Sequence, residues 1–160
     1  MNIVFLDIDG VLNNMASAQR LKTFDLFDQA NVAALNRILE VPDTFIVVSS
    51  AWRVGRTIEK LQEILTLQGV QGLVYDVTPR KVANFATRAD EIQAWLRKHP
   101  EATRFVVLDD SIDGCDAFGE RFIKTSHLEG LTEEQADRAV QILAGGFNPK
   151  QGLPRSKEFS

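Results

Sequence analysis

The sequence predicts a single α/β domain on a mainly parallel five-stranded sheet. Two features predict it: short apolar runs alternate with stretches of helical spacing, and no linker, repeat or low-complexity tract divides the chain. The runs are Ile3 to Leu6, Phe45 to Val48, Leu73 to Tyr75, Phe105 to Leu108 and the weaker Phe122 to Lys124. They are rich in the β-branched and aromatic residues that fit a pleated surface, and too short for buried helices. Between them, Val32, Leu35, Ile38 and Leu39 form one helical stripe, and Ile58, Leu61, Ile64 and Leu65 form a second. Ile92, Trp95 and Leu96 mark a third helix that ends before Pro100. Ala136, Ala139, Val140 and Leu143 mark a fourth that stops at Gly145 and Gly146, with Thr132 and Gln135 in capping-box spacing at its start. Asn13 to Gln29 is the longest connection without a clear period; it reads as a mobile flap anchored by Phe24 and Phe27. Phe147 to Ser160, with Pro149, Gly152 and Pro154, reads as an irregular tail, so the domain is placed at 1–146 and the tail at 147–160.

A chain of 160 residues, 44% hydrophobic and 25% charged, buries roughly 70% of its unfolded surface and needs no covalent staple. The single cysteine, Cys115, and the two separated histidines, His99 and His127, exclude a disulfide scaffold and a Cys/His zinc site. Met1 leads straight into the first strand and no apolar run approaches membrane length, so a cytoplasmic protein is expected. The net charge of −4 argues against a broad nucleic-acid footprint and leaves only a local patch from Arg53, Arg56, Lys81 and Arg88. With no Gly-rich dinucleotide fingerprint and no Walker loop, no NAD, flavin or ATP site is expected.

Three of the runs end in groups that handle phosphate or metal: Asp7 after the first, Ser49 and Ser50 after the second, Asp109 and Asp110 after the fourth. In a parallel sheet those ends share the edge at which open α/β folds bind ligands. Carboxylates gathered there repel one another as they lose water, which favours a hard cation among them, and magnesium fits an oxygen-only set that must also meet a phosphate. Cys115 reads as a small buried residue. Asp113, Asp116, His99 and His127 read as loop or helix-end residues without a catalytic part.

The string Asp7-Ile8-Asp9-Gly10-Val11-Leu12-Asn13 resembles the first motif of the haloacid dehalogenase-like (HAD) phosphohydrolase superfamily. Ser49 resembles the second motif and Asp109-Asp110 the fourth, in family order, over most of residues 1–144. The third motif departs from the family pattern. Its usual lysine has two candidates, Lys81 in Thr78-Pro79-Arg80-Lys81 and Arg88 at the start of the third helix, and Arg88 is favoured. The Arg-x-x-Glu-Ile-x-x-Trp-Leu string from Arg88 is similar to that of small HAD proteins associated with nucleic-acid end repair.

The resemblance implies a Rossmann-like three-layer sandwich and a magnesium-dependent phosphomonoester hydrolase. It implies Asp7 as the nucleophile, Asp9 as general acid and base, and Ser49 with Arg88 on the phosphoryl group. Magnesium is then held by the Asp7 side chain, the Asp9 carbonyl and Asp110, with Asp109 as a second acid; sequence does not rank the two adjacent aspartates. Gly10, Ser50, Trp52, Arg53 and Lys81 are the candidates for substrate contact. Trp52 and Arg53 stand where they could stack a base and hold its neighbouring phosphate. Neither Asn13 to Thr44 nor Ala51 to Thr87 has room for the cap domain that many HAD enzymes insert. The expected substrate is therefore a small phosphorylated molecule or a nucleic-acid terminus at an open site. A non-catalytic metal- and phosphate-binding module and an aspartyl-phosphate phosphotransferase are the alternative readings.

Overall fold

A computed structural model describes residues 1–80 and 86–145. Lys81 and the expected boundary and tail, residues 146–160, lie outside the described residues. The strands are β1 (Asn2–Leu6), β2 (Thr44–Val48), β3 (Val74–Val77), β4 (Arg104–Asp109) and β5 (Phe122–Lys124). They form one sheet in the order β3-β2-β1-β4-β5, parallel at every pairing. Every residue of β1 is buried, as a central strand covered on both faces requires.

The helices are α1 (Met15–Leu21), α2 (Gln29–Leu39), α3 (Ile58–Leu67), α4 (Arg88–Arg97) and α5 (Glu133–Leu143). Alternation along β1 divides the core in two. Val4 and Leu6 pack with Leu35 and Ile38 of α2, Leu61 and Leu65 of α3, and Ala139 and Leu143 of α5. Ile3 and Phe5 face the other layer, with Ile92 and Trp95 of α4 and with Cys115. Phe5 meets Trp95 edge to face at 5.5 Å between ring centres, and Trp95 Nε1 donates to Asp76 at 2.7 Å. These contacts fix α4 on the sheet and thereby set where its first residue, Arg88, can reach. The sandwich therefore has three layers, with no inserted domain among the described residues.

Two local expectations need correction. The third run forms a strand one residue later than expected, leaving Leu73 62% exposed, because β3 is an edge strand paired on one side with a register shift at Ile46/Val47. The connection after β1 is not a free flap. It contains α1, too short to show a period, started by a capping box between Asn14 and Ser17. Phe27 is a buried anchor, whereas Phe24 is 46% exposed. The backbone between them is tied down by Gln68, which accepts from Phe27 N at 2.7 Å and donates to the Asp25 carbonyl at 2.8 Å.

The register places the site. Leu6 pairs with both Val48 and Leu108, so Asp7, Ser49 and Asp109 follow as one row at the carboxyl edge. Ser49 N donates to the Leu6 carbonyl and Asp7 N to the Leu108 carbonyl, each at 3.0 Å. No helix among the described residues is long and apolar enough to cross a membrane. Phe5→Ala removes the ring that couples β1 to α4, and an urea unfolding curve should show a loss of about 3–5 kcal/mol.

Candidate active site

Asp7 leaves β1 at the sheet edge and the chain turns at once through Gly10, whose φ is +83°. A Cβ at Gly10 would collide with the Asp110 carboxylate. Glycine here supplies both the left-handed turn and the room that lets the β4 loop close on the β1 loop. Asp7, Asp109 and Asp110 each bring a carboxylate oxygen within 4.8 Å of the others. Asp7 and Asp109 are buried and Asp110 half-buried.

A single guanidinium serves two of the three. Arg88 Nη1 lies 2.9 Å from Asp109 Oδ2 and 3.2 Å from Asp7 Oδ1. It is aimed by its position as the first residue of α4, where Thr87 and Asp90 form a capping box and Arg88 N donates to Asp113 Oδ2 at 2.9 Å. Burial depresses the ionisation of Arg88, but Asp109 and Asp7 outweigh it and hold the group charged. The compensation is incomplete. Burial, reinforced by Asp109, pushes the Asp7 carboxyl up to about 8 against the opposing pull of Arg88. Burial raises Asp109 as well, again against Arg88, so the two carboxyls titrate as a pair that retains a proton. Three crowded carboxyl groups around one guanidinium are a donor set that fits a divalent cation.

Beside Asp7 in the row, Ser49 is fully buried and its hydroxyl has no hydrogen-bond partner among the described residues. Leaving such a group unpaired costs about 1–3 kcal/mol, and a ligand oxygen at the sheet edge is the partner that would satisfy it.

Asp9 is exposed. Its Oδ1 accepts from Asn13 Nδ2 at 2.8 Å and from Trp52 Nε1 at 3.2 Å. Asp9, Phe24, Asp25, Trp52 and Arg56 line a cleft of about 540 Å³. The Arg56 guanidinium sits over the Trp52 ring at 5.6 Å.

The residues expected to contact substrate separate into two groups. Trp52 lines the cleft. Arg53 does not reach for a ligand: its side chain is 6% exposed and all five N–H donors are committed. They meet the carbonyls of Thr78, Ser49, Ser50 and Pro79 and Glu91 Oε1 at 3.0 Å. Arg53 is a brace that ties the β2 loop to the β3 loop and to α4. The Ser50 hydroxyl accepts from Trp52 N at 3.1 Å and caps the turn Ala51–Arg53. Gly10 spends its N–H on Asn13 Oδ1 and its carbonyl on the Thr125 hydroxyl, so it supplies space rather than a donor. Lys81 lies outside the described residues; among the described residues, Arg88 is the basic side chain that pairs with Asp7.

Three supports were not assigned from sequence: Asn13, Glu91 and Thr125; Asp113, expected as a loop or capping acid, accepts from Arg88 N at the start of α4. Asn13 and Glu91 stand inside the quoted motif strings and were legible as polar residues without a stated task. Thr125 carries no signal that could have found it. Burial pushes the Cys115 thiol up to about 12, which removes it as a nucleophile, and His99 is stacked on Trp95 at 3.8 Å.

Fold and site together define a HAD-type phosphohydrolase-like module that carries no cap among its described residues. The family model for the HAD domain in Swiss Army Knife RNA repair proteins matches residues 3–136, and the chain belongs to that family. No curated protein and no solved structure matches the chain.

The raised Asp7 carboxyl fixes the sign of a stability effect in metal-free protein. Between the ordinary value of 3.8 and the native value of about 8, the native state holds a proton that the unfolded chain has released, so stability falls as pH rises through that window. Asp7→Asn removes this loss. In EDTA its melting temperature should exceed that of wild type by about 5 °C at pH 8, with the gap closing toward pH 4 in thermal scans.

Proposed function

We propose that the protein is a magnesium-dependent phosphomonoester hydrolase that works through an aspartyl phosphate on Asp7. The observation that carries this reading is the fully buried Ser49 hydroxyl, without a hydrogen-bond partner among the described residues, in the same row as Asp7. It gives the carboxylate a neighbour with an empty hydrogen-bond position, and Arg88 stands at 3.2 Å on Asp7 itself.

In the first step an Asp7 oxygen attacks phosphorus, the bond from phosphorus to the leaving oxygen breaks, and Asp9 gives that oxygen a proton. In the second, Asp9 takes a proton from water as the water oxygen attacks the phosphoryl group, and the bond from Asp7 to phosphorus breaks. Ser49 donates to a non-bridging oxygen and Arg88 balances its charge. The Asp7 and Asp110 side chains and the Asp9 carbonyl would hold magnesium. Asp110 is preferred to Asp109 because Asp109 already serves Arg88 and Ser111 N, whereas the Asp110 carboxylate makes no hydrogen bond among the described residues. When bound, the cation supplies the positive charge that the carboxylate cluster lacks and that transfer of a phosphoryl dianion requires.

The substrate class we infer is the phosphorylated end of a polynucleotide. The family's description names RNA repair. The open cleft is lined by Phe24, Trp52 and Arg56, the guanidinium lying over the Trp52 ring; side chains of these kinds stack bases and hold a neighbouring phosphate. A net charge of −4 confines the contact to a terminus.

The decisive assay is phosphate release with magnesium, with EDTA and with Asp7→Asn. Turnover should require the metal and fall by at least ~10³ in Asp7→Asn. It should favour 3′- or 5′-phosphorylated oligonucleotides over sugar phosphates. Magnesium binding without turnover on any of these would overturn the hydrolase reading in favour of a binding module. Ser49→Ala should lower kcat/KM by about 10²–10³ while its melting temperature stays level or rises, since the lost hydroxyl had no partner.

A further inference from the structure

Asn13 is fully buried and uses its whole carboxamide. Its Nδ2 donates to Asp9 Oδ1 at 2.8 Å and to the Phe24 carbonyl at 2.7 Å, and its Oδ1 accepts from Gly10 N at 2.9 Å. Trp52 Nε1 donates to the same Asp9 oxygen at 3.2 Å. Both donors are neutral and both meet Oδ1; Trp52 lines the cleft with Asp9, whereas Asn13 lies buried beneath it. Without them an exposed aspartate would populate several rotamers, which disperses a proton donor over positions that do not face the bond being broken.

Resting on the phosphohydrolase reading above, we propose that Asn13 and Trp52 are positioning residues that fix Asp9 by Oδ1 and leave Oδ2 as the oxygen that exchanges the proton. An oxygen accepting two N–H bonds has little lone-pair capacity left for a proton, so the carboxylic acid form places it on Oδ2. As phosphorus separates from the leaving oxygen, the Oδ2–H bond breaks and the leaving oxygen gains that hydrogen. In the second step Oδ2 recovers a proton from the attacking water. Asn13 and Trp52 keep their own hydrogens throughout. The Asn13 bond to the Phe24 carbonyl and the Trp52 ring in the cleft wall join the surface that meets the leaving group to the side chains that hold the acid.

A phosphate ester of a poor leaving group needs the proton, and one of an acidic phenol does not. The readout is therefore the ratio of kcat/KM for an alkyl phosphate to that for 4-nitrophenyl phosphate. Trp52→Phe keeps a ring in the wall and deletes the N–H. It should lower the ratio by about tenfold, a part of the ~10²–10⁴ that a whole general acid supplies. Asn13→Ala should lower it further in whatever fraction folds. In an Asp9→Asn background, Trp52→Phe should change the ratio by less than about twofold, because the group it positions has gone. Its magnesium affinity by calorimetry should stay within about twofold of wild type. A Trp52→Phe effect equal on both substrates, or one that persists in the Asp9→Asn background, would overturn the proposal. Failure of the phosphohydrolase reading looks different: wild type does not turn over, or Asp9→Asn leaves the ratio unchanged, and the proposal falls with it.

Discussion

Mutual repulsion among Asp7, Asp109 and Asp110 is the constraint on which the rest of the site depends. The parallel register forces Asp7 and Asp109 into one row, and the space at Gly10 admits Asp110. One guanidinium spans Asp7 and Asp109. Charges this close in a poorly hydrated site interact by several kcal/mol at an effective dielectric of about 20, so the arrangement depends on Arg88, on the proton that the raised Asp7 carboxyl retains, and on a framework that holds the groups in place. Much of the framework beyond the sheet answers to that demand. The Asp90 capping box and Asp113 hold the start of α4, and the Phe5 and Trp95 contact holds its body. Displacing α4 would pull Arg88 away from both carboxylates at once.

The Arg53 brace meets the same demand from the other side of the row. Ser49 can present an unsatisfied hydroxyl only if its backbone is immobile, and Arg53 accepts that task by bonding the Ser49 and Ser50 carbonyls. The ion pair with Glu91 then carries the restraint to α4. Two loops that would otherwise move independently are joined to the helix that aims Arg88, so the parts facing a phosphoryl group share one support. A buried, fully bonded arginine of this kind contributes placement more than affinity, because its desolvation offsets much of its attraction.

The sheet and four of its helices were legible in the sequence because their signals are periodic. Runs such as Ile3 to Leu6 and stripes such as Ile58, Leu61, Ile64 and Leu65 are dictated by burial on a face. The Asp7, Ser49 and Asp109 row was legible for a related reason, since strand ends in a parallel sheet fall on one edge. What sequence could not supply was direction. Arg88 was expected on the phosphoryl group and Arg53 on the substrate; packing keeps the first on the Asp7 and Asp109 carboxylates and turns the second onto backbone carbonyls. The helix α1 escaped because seven residues, Met15 to Leu21, span only two turns and show no sustained apolar stripe; its start is set by the Asn14 cap. Phe24 and Phe27 read as a pair of anchors, but the Asn13 bond to the Phe24 carbonyl holds that backbone in place and leaves its ring exposed.

An open site changes what the substrate must do. Asp9 is exposed, so the described residues do not shut water away from it. Under the phosphohydrolase reading, exclusion of water from the Asp9 carboxyl falls to the leaving group. A small alcohol would leave the acid solvated and its hydrogen bonds in competition with water. A terminal nucleoside seated between Phe24 and Trp52 would cover Asp9 and dry the two N–H contacts at Oδ1, strengthening both as the local dielectric falls. Substrate size then enters as a rate effect as well as a binding effect, since interactions remote from phosphorus would act on the group that moves the proton. Under that reading, a substrate that extends beyond its phosphate is favoured, independently of any base-specific contact.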